Sequence, residues 1–499
     1  MHPESIPPGQ YFLSQTPPED VPSGFQSRSF GDWTVVFDAN FDVVRITVGD
    51  DQIGLIFGTA LDTDGRPVDG GIDLGEAAES TSDAFEGVLR KLLGRYVGLV
   101  DATDGPYLYP DPAGALPAIY DEVGEHVAAS PIAVPGVDHE SHFQANFFEE
   151  VKWPLISRGE NTWLPGRLTY YEGLSQLLPN HRLDLDEWEP ERFWPTGNGE
   201  QTASDPDEEV ANIVAELKRA FDVIGASYDR PKLSLTAGKD SRSLLATSRR
   251  LATSGDMSCF TLGENDRDID VHVARRLARR HDVDWHSIRI TEATEDEQDR
   301  WLKRTGYTVG SAIKETHTTM QALETDAEVG GLGGEIGRGY YWKPSDDRDT
   351  AVGPIELLHR FHKPEHPELI AELDRWCQEV DRFDTYTTLD LAYQEHRLGC
   401  WGGPQHLGFA PEVDYLRPLW YRPVVESMHR LPPEVRRRDE LPERIVSTAW
   451  PELNELPYNA FTDWKKYLTL VTGSVERAKA AMSNPDVAVE YLARQYVRR

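Results

Sequence analysis

The sequence predicts two fold classes in series: a β-rich α+β domain, then a doubly wound α/β domain with a helical C-terminal part. Three observations carry this. Residues 1–195 hold many short apolar runs with few helical periods. A polar, turn-rich stretch follows at 196–207, Thr-Gly-Asn-Gly-Glu-Gln-Thr-Ala-Ser-Asp-Pro-Asp, and marks a linker. From 208 to 290 strand and helix patterns alternate, as a parallel sheet with crossover helices requires.

Taken in order, residues 1–30 are rich in Pro, Gly and Ser and read as irregular at first. Strand-like runs follow at Trp33–Phe37, Val43–Val48 and Ile53–Phe57, then a helical stretch near Phe85–Leu93. Gly94–Val100 reads as a further strand, and Tyr107 to Tyr120 as two strands about a Pro/Gly turn. After the linker, Val210, Ile213, Val214, Leu217, Phe221 and Ile224 recur at helical spacing. Met257–Leu262 and Trp285–Ile290 read as strands, with a helix through Ile269, Val273 and Leu277 between them. From about 299 to 499 the pattern is mostly helical.

One stretch concentrates the candidate chemistry: Leu233-Ser234-Leu235-Thr236-Ala237-Gly238-Lys239-Asp240-Ser241-Arg242. Its start suits a buried strand end, Ala237 and Gly238 allow a tight turn, and Asp240-Ser241 suits a helix start. Strand, tight loop and helix N-terminus together present free amides and a positive dipole end, which favour an anion. Asp240 beside a phosphate becomes useful where Mg²⁺ bridges the two. The plain alternative is an ordinary strand-to-helix turn. A second strand end, Thr261-Leu262-Gly263, could wall an adenine and ribose, or be a simple strand exit. Asp268 and Asp270 open the next helix and read as partners of its dipole. A third stretch, Gly330-Gly331-Leu332-Gly333-Gly334-Glu335-Ile336-Gly337-Arg338-Gly339-Tyr340-Tyr341-Trp342, can fold its backbone closely around a ligand and carries one carboxylate and one guanidinium. The alternative is a flexible loop.

Composition bounds the partners. With 85 acidic and 51 basic residues among 499, the formal net charge is -34, spread along the chain. That argues against nucleic acid and anionic membrane as partners. With Arg far outnumbering Lys, it fits a protein adapted to high salt, hence a halophilic host. Cys259, Cys377 and Cys400 are scattered, with no spacing for zinc or a disulfide framework. The N-terminus lacks the pattern of a signal peptide, and no apolar run approaches the roughly 20 residues that span a bilayer. A cytoplasmic protein is expected.

The Thr236–Ser241 stretch resembles the PP-loop of ATP pyrophosphatases, usually Ser-Gly-Gly-x-Asp-Ser, with Thr and Ala in the first two places. Other stretches resemble the asparagine synthetase family in the same order along the chain. Asp111-Pro112-Ala113-Gly114 resembles a hairpin of its glutaminase domain, and Leu177-Leu178-Pro179-Asn180-His181 the end of that domain. Gly330–Tyr340 resembles its Gly-Asp-Gly-Ala-Asp-Glu-hydrophobic-Phe-Gly-Gly-Tyr loop, with Glu335 in place of the Glu and Gly331 and Gly334 in place of both Asp. Arg422-Pro423-Val424-Val425-Glu426 resembles a following helix. The resemblance implies an Ntn-hydrolase-like, glutamine-amidotransferase-like domain over 1–195 and an ATP-pyrophosphatase domain over 208–499. It also implies a family Lys some 20–30 residues beyond that helix. Lys465 and Lys466 are the nearest candidates, and a solvated pair is the alternative. His2 stands where the glutaminases carry their nucleophilic Cys, a departure shared with β-lactam synthetases, so no glutaminase activity is expected.

The reading is an ATP-dependent, AMP-forming ligase that makes an amide through an acyl-adenylate. Expected ligands are ATP, Mg²⁺ at Asp240, a carboxylic-acid substrate and ammonia or an amine. Leu235, Thr236, Ala237, Gly238, Lys239, Asp240, Ser241, Arg242, Thr261, Leu262 and Gly263 are the expected nucleotide-binding residues. Glu335 and Lys465 are the expected catalytic ones, and a homodimer is among the expected assemblies. The alternative is a catalytically silent relative acting as a binding or regulatory subunit.

Overall fold

A computed structural model describes residues 6–460, apart from 66–70, 76–79, 158–159, 198, 200–204, 264–267, 309–318, 321, 410 and 412. Strands in chain order are β1 Tyr11–Ser14, β2 Phe25–Phe30, β3 Trp33–Asp38, β4 Asp42–Val48, β5 Asp51–Asp62, β6 Ile72–Asp73, β7 Leu92–Ala102, β8 Gly105–Pro110 and β9 Ile119–Asp121. They continue as β10 His126–Ala128, β11 Leu174–Gln176, β12 His181–Asp184, β13 Pro190–Arg192, β14 Lys232–Ser234, β15 Ser258–Leu262, β16 Trp285–Ile288, β17 Ala327–Val329 and β18 Asp414–Leu416.

Period-two alternation builds the N-terminal half. Tyr11, Leu13, Val35 and Phe37 face one way from the sheet ordered β11-β9-β10-β1-β3-β2. Leu55, Phe57, Val97, Leu99 and Leu108 face them from the sheet ordered β13-β12-β8-β7-β5-β4-β6. The two sets form one apolar layer between the sheets. Ile56, Tyr96, Val100 and Tyr109, on the opposite face of the second sheet, pack on Phe85, Val88 and Leu89 of the helix Thr81–Leu89. Phe12, Val36 and Ile119, on the outer face of the first sheet, pack with Phe147, Val151 and Leu155. The layers therefore run helix, sheet, sheet, helix. The helix expected near Phe85–Leu93 ends at Leu89, four residues early, because Leu92 and Leu93 already belong to β7.

The second half is a five-stranded sheet, all pairs parallel, ordered β16-β15-β14-β17-β18. The chain starts in the middle, winds outward through β15 and β16, then returns to the other side of β14 with β17 and β18. The direction of winding reverses between β14 and β17, and open α/β sheets bind ligands outside the carboxyl ends of the strands at such a point. β17 and β18 are corrections to the expectation of a mostly helical chain beyond 299; each is three residues long, too short to show a period. The long helix Pro206–Ser227 buries Ile213, Leu217, Phe221 and Ile224 as its spacing predicts, and Asp205 caps it. Among the described residues, no helix is long and apolar enough to cross a membrane.

The halves are joined through polar contacts, one buried and one partly exposed. Arg192 pairs with Glu395, which also accepts from Asn180 at 2.8 Å and from the Trp376 indole at 2.7 Å. The guanidinium of Arg90 is bidentate to Glu426, at 2.9 and 2.5 Å.

Candidate active site

The loop after β14 leaves the sheet at the reversal point. Leu235 and Ala237 turn fully inward as apolar anchors. Thr236 and Ser241 close the turn on each other. Their hydroxyls are 2.9 Å apart, the Thr236 amide donates to Ser241 Oγ at 3.1 Å, and the Gly238 amide donates to Thr236 Oγ1 at 3.1 Å. Asp270 accepts from the Ala237 amide at 2.8 Å, so it holds the loop from the neighbouring helix, while Asp268 is the residue that caps that helix. The helix Lys239–Thr247 begins at Gly238 with no side-chain cap, so its first amides point out of the strand end.

The glycine-rich stretch after β17 lies directly on this loop. A Cβ at Gly331 would stand 3.0 Å from the Ser241 amide, and one at Gly334 would stand 2.2 Å from Asp240 Oδ1. Glycine at both positions lets the two loops touch; Asp at either, as in the resembled loop, would displace Asp240 or the Ser241 backbone. The short 3₁₀ turn Gly334–Arg338 then carries Glu335 and Arg338.

Arg338 is the hub. Its Nη2 is 2.6 Å from Asp240 Oδ2 and 3.5 Å from Glu335 Oε1, and its Nη1 is 3.6 Å from Asp439 Oδ1. Lys239 binds the Asp439 carboxylate at 2.9 Å and reaches Glu443 at 3.5 Å. Tyr393 donates to Glu335 Oε2 at 2.9 Å. Arg338 and Lys239 are each 18% exposed, which keeps both cations at the mouth of the site. Burial pushes the Asp240 carboxyl up to about 7; Arg338 opposes this, and the Glu335 and Asp439 charges reinforce it. Burial, with the Glu335 charge next, pushes the Tyr393 phenol well above its usual range.

Several expected residues have other work. Arg242 is fully buried and donates to the carbonyls of Leu453, Leu456 and Pro457, with its guanidinium 3.7 Å from the centre of the Tyr458 ring. It anchors the C-terminal segment behind the loop, and this corrects its reading as a nucleotide ligand. Thr261 Oγ1 donates to the Leu235 carbonyl at 2.6 Å and accepts from Trp285 at 2.9 Å. Gly263 is required by packing, since a Cβ there would meet Val271 at 2.6 Å. Leu262 is half-buried beside it. Lys465 and His2 lie outside the described residues. Cys259 is buried in β15, its thiol pushed up to about 12 by burial.

Mg²⁺ at Asp240 is a poor fit for these side chains. Each carboxylate of the cluster, Asp240, Glu335 and Asp439, already has a cation or a hydroxyl on it. Arg338 would repel a divalent ion about 4 Å away by roughly 8 kcal/mol at an effective dielectric near 20, and it already lies against the carboxylates that would attract the ion. The expectation of a magnesium site on Asp240 is corrected accordingly.

Sequence reasoning assigned no role to Arg338, Asp439 and Tyr393. Arg338 had a signal, since it stands where the resembled loop has Gly. Asp439 and Tyr393 lie 200 residues from Lys239 and 58 from Glu335, and carried none.

No family model matches this chain, and no curated protein matches it. Among solved structures it is similar to an NMN synthetase from Francisella tularensis. The identity is 15%, over 38% of this chain and 86% of that one, with a TM-score of 0.20. It is also similar to a glutamine-dependent NAD+ synthetase from Acinetobacter baumannii in complex with adenosine diphosphate. There the identity is 14%, over 42% of this chain and 39% of that one, with a TM-score of 0.20. This chain therefore matches well under half the length of the second protein. At these scores neither likeness bears on function; the loop geometry does.

Proposed function

We propose that the chain is an ATP-dependent, AMP-forming ligase of the asparagine-synthetase kind, acting on a carboxylic acid through an acyl-adenylate. The observation that supports this most is the meeting of an uncapped helix N-terminus, two mostly buried cations and Glu335 at the reversal point of the parallel sheet. The amides of Lys239, Asp240 and Ser241 would receive the phosphates. The substrate carboxylate oxygen attacks the α-phosphorus. The bond from that phosphorus to the bridging oxygen breaks, and pyrophosphate leaves with the electron pair. An amine or ammonia nitrogen then attacks the acyl carbon, gives up a proton to Glu335, and AMP departs. Tyr393 fixes Glu335 for that step. The protein's contribution is charge stabilisation and positioning.

The helix-sheet-sheet-helix half is read as an Ntn-hydrolase-like domain, and His2 in place of Cys supports a domain without glutaminase activity. A second reading, a catalytically silent binding subunit, is favoured by the Asp240–Arg338 pair and by the engagement of Arg242 elsewhere. The two are separated by incubating the protein with ATP, ammonia and a panel of carboxylic acids and measuring AMP and pyrophosphate. Release with at least one acid supports the ligase; ATP binding without release from any acid supports the silent subunit.

A further inference from the structure

The disagreement between an expected magnesium ion and the side chains present has a positive content. We infer that Arg338 takes the place of a divalent cation in this site, so that a nucleoside triphosphate binds through its guanidinium without Mg²⁺. This rests on the nucleotide reading above and specifies it further.

Among the described residues, the mouth carries the carboxylates of Asp240, Glu335 and Asp439 against the cations of Arg338 and Lys239. Arg338 contacts all three carboxylates within 3.6 Å, so it sits where a bridging metal would have to sit. A side chain at Gly334 would displace the Asp240 carboxylate from this position, since its Cβ would stand 2.2 Å from Oδ1. The guanidinium is also only partly engaged. Nη2 binds Asp240 and Nε donates to the Gly334 carbonyl at 3.2 Å, while among the described residues Nη1 has the 3.6 Å contact to Asp439 alone. An arginine fork offers five donors in a plane and binds phosphate oxygens bidentately. Asp240 then acts as a positioning residue, holding the fork beside the amide terminus of Lys239–Thr247 until phosphate arrives. The two loops are in contact, so the guanidinium needs only a side-chain rotation to move from carboxylate to phosphate.

The test is calorimetric titration of the full-length protein with ATP, once in EDTA and once in excess Mg²⁺. The dissociation constants should agree within about threefold. Arg338→Ala should weaken binding in EDTA by about tenfold or more, and Mg²⁺ should restore part of it through the freed Asp240. Arg338→Lys should retain more of the EDTA binding than Arg338→Ala. Wild-type binding that strengthens more than about tenfold on adding Mg²⁺ would overturn the inference while leaving the nucleotide reading standing. No ATP binding under either condition would overturn both. Should Arg338→Ala fail to fold, Asp240→Asn decides: releasing the fork should hold or tighten EDTA binding, and a clear weakening counts against the proposal.

Discussion

Two of the carboxylate–arginine clusters among the described residues have opposite electrostatics. At the junction of the halves, Glu395 is fully buried, yet its carboxyl is held down at about 2. Burial alone would raise it; Arg192, the nearby His181 and the Asn180 amide overcome that. At the loop mouth Asp240 is partly exposed, yet its carboxyl is pushed up to about 7. The difference lies in the partners. Glu395 receives two arginine bonds, an amide and an indole N–H. Asp240 has one arginine, shared with two further carboxylates. A saturated carboxylate is a strut. An under-compensated one can change partner, and that is what a binding site needs.

The sharpest way to break this comparison is to unpair the strut. Arg192→Ala leaves Glu395 buried without its cation and should cost about 3–5 kcal/mol of stability, read by chemical denaturation. A loss below about 1 kcal/mol would mean that the junction is no more saturated than the mouth.

At the mouth the corresponding loss is in rate. Glu335→Gln should lower amide formation by about 10²–10³-fold while ATP binding by calorimetry stays within a few fold. Equal losses of binding and turnover would remove Glu335 from the acceptor side of the site.

The pH dependence of stability should separate the regions by sign. His396 and His429 are buried, and burial holds both rings at about 3, well below their unfolded value. Their contribution is complete above pH 6.5 and is lost as pH falls toward 3, at up to about 1.4 kcal/mol per unit for each ring. Glu395 adds a loss between about 4.5 and 2. Asp240, with a raised folded value, runs the other way: its contribution is complete below pH 4 and fades as pH rises through 7. Asp390 and Asp111, raised by burial to about 7 and about 6, run with Asp240, so the two sets oppose each other between pH 8 and 4, and Asp240→Asn should lower the melting temperature at pH 4 relative to that at pH 8. A variant whose melting temperature keeps the parent's difference between pH 4 and pH 8 would contradict a raised Asp240.

The smallest effect is global. A net charge of -34 repels itself over a Debye length of about 10 Å at 0.1 M salt and about 3 Å at 1 M. Melting temperature should rise with KCl, and the buried Arg192–Glu395 pair should contribute nothing to that rise. An unchanged melting temperature would leave the acidic surface without a role in stability.

The sequence by itself determined what is local and periodic. Alternation placed β3, β4 and β7 to within two residues and found the first half of β5, because side-chain facing has a period of two whatever the chain packs against. Helical spacing placed Pro206–Ser227, and the residues Thr236 to Ser241 announced a strand-to-helix turn. Tertiary structure alone decided the rest. Three-residue strands such as β17 exist because neighbours pair with them, and no period fits in three residues. Arg242 and Arg338 are both arginines close to glycines in candidate loops, yet one is buried on carbonyls and the other bridges carboxylates. Their roles were set by Leu456, 214 residues away, and by Asp240, 98 residues away. A charge has no intrinsic assignment along the chain; its work depends on burial and on which opposite charges the fold brings within a few ångströms.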